Sequence, residues 1–134
     1  MVRFGVMAWF VALEALGAPG GPAPAESELR GSMDCRAERE TGRLVCSVEL
    51  EAPADEVLTW SDALVVSAPP AARPLRARVP GTGRPPTRIV LGFVLGPGAG
   101  GRIELLARAV TCPTAQTRAC TSRSRRFGFD VEGR

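Results

Sequence analysis

Arg88-Ile-Val-Leu-Gly-Phe-Val-Leu-Gly96, then Pro97-Gly-Ala-Gly-Gly101, then Arg102-Ile-Glu-Leu-Leu-Ala-Arg-Ala-Val-Thr-Cys112 is the stretch that decides the fold. Two long runs rich in β-branched and aliphatic residues flank a connection made only of proline, glycine and alanine, which is the pattern of a hairpin. Ile103, Leu105, Ala107 and Ala109 recur at every second position, and Glu104, Leu106, Arg108 and Val110 fill the other stripe, the period of a strand. Ile89 to Leu95 is apolar nearly throughout, so cover is expected on both faces of that strand. The second run ends in a cysteine, and a seven-residue gap separates it from Cys120.

The same period extends outward. Met33, Cys35 and Ala37 alternate with Asp34, Arg36 and Glu38; Glu40-Thr41-Gly42 makes a turn; and Leu44, Cys46, Val48 and Leu50 alternate with Val45, Ser47 and Glu49. Val57 to Ala68 reads as a third strand, broken or bulged at Ser61-Asp62, with Trp60 expected in the core. Pro74 to Val79 puts Leu75, Ala77 and Val79 on one face and Arg76 and Arg78 on the other, which suits a charged sheet edge. Gly81-Thr-Gly83 lies in a loop and lacks the Lys-Ser/Thr of a phosphate cradle. Phe127, Phe129 and Val131 alternate with Gly128 and Asp130 in a last strand. No helical period of useful length follows the first segment. The expectation is an all-β protein, one β-sandwich of about seven antiparallel strands.

The first segment reads as an address. Met1-Val-Arg3 is a positive start, Phe4 to Leu13 an apolar run too short to span a bilayer, and Ala23-Pro-Ala25 a cleavage motif. Residues 1–25 are therefore expected to be a secretory signal, and residues 26–134 the exported domain, periplasmic or extracellular, with no transmembrane helix. Glu26 to Gly31 reads as a polar lead-in. In an oxidising compartment the four cysteines, Cys35, Cys46, Cys112 and Cys120, are expected to form two disulfides.

Composition removes several chemistries. The chain has no histidine, so no Ser-His-Asp or Cys-His nucleophile can be assembled. The cysteine spacings lack the short knuckles that place two thiolates on one zinc, and no carboxylate pair stands at a catalytic spacing. No cofactor or metal is expected. All 17 basic residues are arginine, yet the net charge is only +3, below the dense basic footprint of a nucleic-acid binder. Arg123, Arg125 and Arg126 could bind an anion, though a solvated strand start is the plainer reading.

Cys46, Trp60 and Cys112 fall in the order of immunoglobulin-like domains, which the chain resembles on those three residues; Val110 stands where that family has its corner tyrosine. The C-terminal third, a strand ending in cysteine, a gap, a second cysteine and a return strand, resembles the immunoglobulin-like periplasmic domain of the bacterial thiol:disulfide interchange protein. That resemblance implies a redox-active pair at Cys112 and Cys120. The two likenesses imply different bonds. Pairing within hairpins joins Cys35 to Cys46 and Cys112 to Cys120; the immunoglobulin pattern joins Cys46 to Cys112 and leaves Cys35 to Cys120. The loop entropies, about 3 kcal/mol for each local loop against about 4.4 for the long one, do not choose between them, although turn geometry favours the local pairs. The functional expectation is a non-catalytic binding or structural module whose partner is a protein or envelope component. The alternative is a thiol-disulfide exchange domain using Cys112 and Cys120.

Overall fold

The computed structural model describes residues 29–115 and 119–133. The expected signal segment and most of the polar lead-in lie outside the described residues. Within them the chain forms eight strands: β1 (Arg30–Glu38), β2 (Arg43–Glu51), β3 (Glu56–Ser67), β4 (Ala72–Pro74), β5 (Arg78–Pro80), β6 (Arg88–Leu95), β7 (Gly101–Pro113) and β8 (Thr121–Val131). No helix occurs among the described residues. The strands make two four-stranded sheets, ordered β1-β2-β6-β4 and β5-β3-β7-β8, and every pairing is antiparallel.

The core is the stripe pattern made physical. Leu44, Cys46, Val48 and Leu50 of β2 and Ile89, Leu91 and Phe93 of β6 face Leu58 and Ala63 of β3 and Ile103, Leu105, Ala107 and Ala109 of β7. All of these are buried, and they form one cluster between the sheets. Removing such apolar surface from water is the main force that holds two sheets together. Gly42 takes φ 65° in the β1–β2 turn, a conformation costly for any side chain with a Cβ. Gly81 lies so close to β3 that a Cβ there would fall 1.8 Å from the Ser61 hydroxyl oxygen.

Four local expectations change. Leu29 is fully buried and β1 begins at Arg30, so the polar lead-in ends earlier than expected. The outer face of β6 is only partly covered: Val90 is exposed, Gly92 and Val94 are half-buried with Leu75 over Gly92, and Ile89, Leu91 and Phe93 are buried on the inner face. The stretch from Pro74 to Val79 is not one strand. The chain leaves β4 at the edge of one sheet and enters β5 at the edge of the other, with Leu75 exposed across Gly92. Its edge position is as expected; the crossing between edges accounts for the eighth strand. The fourth change concerns β3. Its irregularities fall between Leu58 and Trp60 and between Val65 and Ser67, not at Ser61-Asp62.

Candidate functional site: the outer face of the β3–β7 sheet

The bulge at Thr59 builds this face. Leu58 stands opposite Thr111, both pointing inward, and the next matched pair is Trp60 opposite Val110. One extra residue in a strand reverses the side to which every later residue points. Trp60 therefore turns outward and is 39 % exposed, instead of filling the core. Ser61 and Ala63 take the inward positions, and Asp62 follows Trp60 to the outside.

Asp62 is nonetheless fully buried, because two arginines lie over it. Arg78, from β5, donates Nε to Asp62 Oδ2 at 2.6 Å. Arg108, directly opposite on β7, donates Nε to Oδ1 at 2.8 Å and Nη2 to Oδ2. Burial pushes the Asp62 carboxyl up, but the hydrogen bonds and charges of Arg108 and Arg78 more than reverse this and hold it below the usual carboxylate value. The same contact raises Arg108. A carboxylate so held stays ionised at neutral pH and has no proton to give, so it is a fixed anchor for two cations and not a general acid. The Arg108 guanidinium carbon also sits 5.6 Å from the centroid of the Trp60 ring, a cation–π contact. Val57, 42 % exposed, and Val66, 49 % exposed, flank this centre along β3.

At one end of the face lies Cys112–Cys120. Cys112 stands opposite Val57 and points outward, and Cys120 is exposed. The Thr59 hydroxyl donates to the Val110 carbonyl at 3.2 Å and lies 3.6 Å from Cys112 Sγ. The other bond, Cys35–Cys46, joins residues directly opposite each other on β1 and β2 and faces the core. The pairing is thus the local one. The Cys46–Cys112 bond implied by the immunoglobulin likeness is not formed, since Cys46 points into the core and Cys112 away from it.

The three arginines proposed from sequence are not brought together. Arg123 is buried at the inner side of β8. It donates Nε to Thr111 Oγ1 at 2.8 Å and Nη2 to both Glu56 carboxylate oxygens at 3.0 Å, while Thr111 donates to Glu56 Oε1 at 3.0 Å. Arg125, on the same side, donates to the Leu29 carbonyl at 3.1 Å and lies over Phe127. Arg126 is exposed on the opposite side. The solvated strand start therefore fails for Arg123. The signal was present: Phe127, Phe129 and Val131 alternate inward, and the same parity carried back two turns of the pleat reaches Arg125 and Arg123. Arg76 and Arg78 cannot extend that group, because β5 and β8 are opposite edges of the sheet.

The other sheet offers a shallow depression of about 600 Å³ on its outer side, lined by Ser32, Asp34, Arg36, Ser47, Arg88 and Val90 among others. Its ion pairs, Arg36–Asp34 at 3.1 Å and Arg88–Glu49 at 3.3 Å, are solvent-exposed. Among the described residues no three His, Cys, Asp or Glu side chains group as a metal site, and no helix is long and apolar enough to cross a membrane. Compared with known proteins, the chain matches no family model, no curated protein and no solved structure.

Proposed function

We propose that this chain is an exported, non-catalytic binding module of immunoglobulin-like architecture that engages an envelope component through the outer face of the β3–β7 sheet. One observation carries the reading: Trp60, Val57 and Val66 stand exposed on an open sheet face around the Arg78–Asp62–Arg108 anchor. Aromatic and arginine side chains held in place by neighbours lose little freedom on binding, which is why such residues dominate interaction surfaces. The two disulfides favour an oxidising compartment. The strand order, with β1-β2-β6-β4 packed on β5-β3-β7-β8, supports the immunoglobulin-like description.

The test places a photo-crosslinking residue at Val66 or, on the other sheet, at Val90, in cells that export the chain. A discrete adduct from Val66 and none from Val90 is the expected result. Equal labelling at both, or none at either, removes the reading, as does turnover of a thiol or glycan substrate by the purified protein.

A second reading is thiol-disulfide exchange at Cys112–Cys120. What favours it is the exposed residue Cys120 bonded to a Cys112 whose sulfur lies 3.6 Å from the Thr59 hydroxyl. A thiolate from a partner dithiol would attack Cys120 Sγ, and the Cys112 sulfur would leave as a thiolate with a hydroxyl at hand to donate to it. The partner's second thiol would then resolve the mixed disulfide, so the partner is oxidised and the pair reduced. Graded reductant with alkylation and mass mapping decides this. Opening within roughly −120 to −270 mV, the range of exchange proteins, supports it; a bond that stays closed there ends it.

A further inference from the structure

We propose that β8 pairs edge to edge with β8 of a second copy of this chain, antiparallel, about a two-fold axis through Gly128. β8 is the last strand of its sheet and 11 residues long, and no described strand pairs with its outer edge. An unpaired edge of that length presents backbone donors and acceptors ready to template another strand. Natural edges are usually blunted by charge of one sign, but here the charges are arranged to match their own reversal. The central sequence is Arg126-Phe-Gly-Phe-Asp130. Run antiparallel about Gly128, it sets Arg126 of each copy opposite Asp130 of the other, and Phe127 opposite Phe129.

The faces agree with this register. Arg126 and Asp130 share the outer side of β8 and are exposed. Phe127 and Phe129 share the inner side, where they are partly buried against the core, so their outer edges would close on each other. Asp130 accepts from Arg102 Nη1 at 3.1 Å, which leaves its second oxygen for the incoming guanidinium. Arg126 makes no ion pair among the described residues. Three neighbouring registers are worse. An axis through Arg126 or Asp130 opposes like charges, and one through Phe127 leaves both charges without a counterpart within the strand. Cross-strand pairs of opposite charge stabilise a ladder, and like charges directly opposite destabilise it. The joint sheet would have twice four strands, with both Trp60 faces on the same side.

Sedimentation equilibrium of the full chain with its disulfides intact tests this. The expected result is a concentration-dependent dimer that R126D and D130R each weaken roughly ten-fold or more, since either change makes both cross-strand pairs repulsive. Mixing the two variants in equal amounts should restore dimers, because each then offers the charge the other needs. Circular dichroism of each variant checks that these exposed substitutions leave the fold intact. A wild-type chain that stays monomeric up to millimolar concentration overturns the proposal. So does a dimer indifferent to both changes, or a mixture that remains monomeric.

Discussion

The two sheets place sulfur and charge in opposite ways. The β1–β2–β6–β4 sheet turns its disulfide, Cys35–Cys46, toward the core and keeps its ion pairs, Arg36–Asp34 and Arg88–Glu49, in solvent. The β5–β3–β7–β8 sheet turns its disulfide outward and buries two of its charged groups, with Asp62 under two arginines and Arg123 against Glu56, while its Arg102–Asp130 pair stays in solvent. The first arrangement makes a plain structural wall. An exposed ion pair gains little over its hydration and loses side-chain freedom. The second stores polar order in the sheet that also carries the exposed tryptophan. A buried charge stripped of its partner is expensive, so those residues hold one geometry.

The contrast can be broken at several points. The largest loss should come from C35A/C46A, about 4 kcal/mol: roughly 3 from the lost cross-link and about 1 from core volume removed. C112A/C120A should cost only the cross-link term, about 2–3 kcal/mol, in the same urea titration. Equal losses would mean that core placement adds nothing. R123M comes next at about 3 kcal/mol, because it strands Glu56 in a largely buried site. Adding E56Q to R123M should recover part of that loss; a single change costing under about 0.5 kcal/mol would show the cluster to be solvated.

D62N should cost about 2 kcal/mol by removing the charged acceptor of two arginines. Its pH signature is more diagnostic. The folded Asp62 carboxyl lies below its unfolded value of 3.8, so its contribution is complete above that value and is lost as pH falls through the folded one. Unfolding free energy measured from neutral pH down into the acid range should therefore fall less steeply in D62N than in the wild type. Parallel curves would sink the assignment. The smallest effect belongs to the other sheet: D34N and E49Q should each change stability by under about 0.5 kcal/mol.

Much of this was legible beforehand, and the failures have a common form. The stripes of β2 and β7 announced their buried sides, because an antiparallel strand with one wet face must alternate. Cysteines placed across short turns favoured the local disulfides without excluding the Cys46–Cys112 pairing. Trp60 is expected in the core as the tryptophan of a small sandwich, with the irregularity at Ser61-Asp62; the inserted residue falls one step earlier, at Thr59, and turns the ring outward. Arg123 was misread for the converse reason: parity was reliable there, but composition suggested water. Asp62 carried no local signal of its anchors, since Arg78 and Arg108 are 16 and 46 residues away in the chain.

The amino-acid sequence by itself determined that this is an all-β chain, which residues form its core stripes, and where most of its turns fall; the pairing of its four cysteines came from the structure. Stripes and turns depend on neighbours within one strand or one hairpin, where period and spacing are enough. Only the tertiary structure decided which side of β3 meets solvent, that Pro74 to Val79 crosses between sheets, and that Asp62 and Arg123 are buried with partners. These outcomes depend on which strands lie side by side. A charge is affordable in the interior only when a partner from a distant strand arrives to satisfy it.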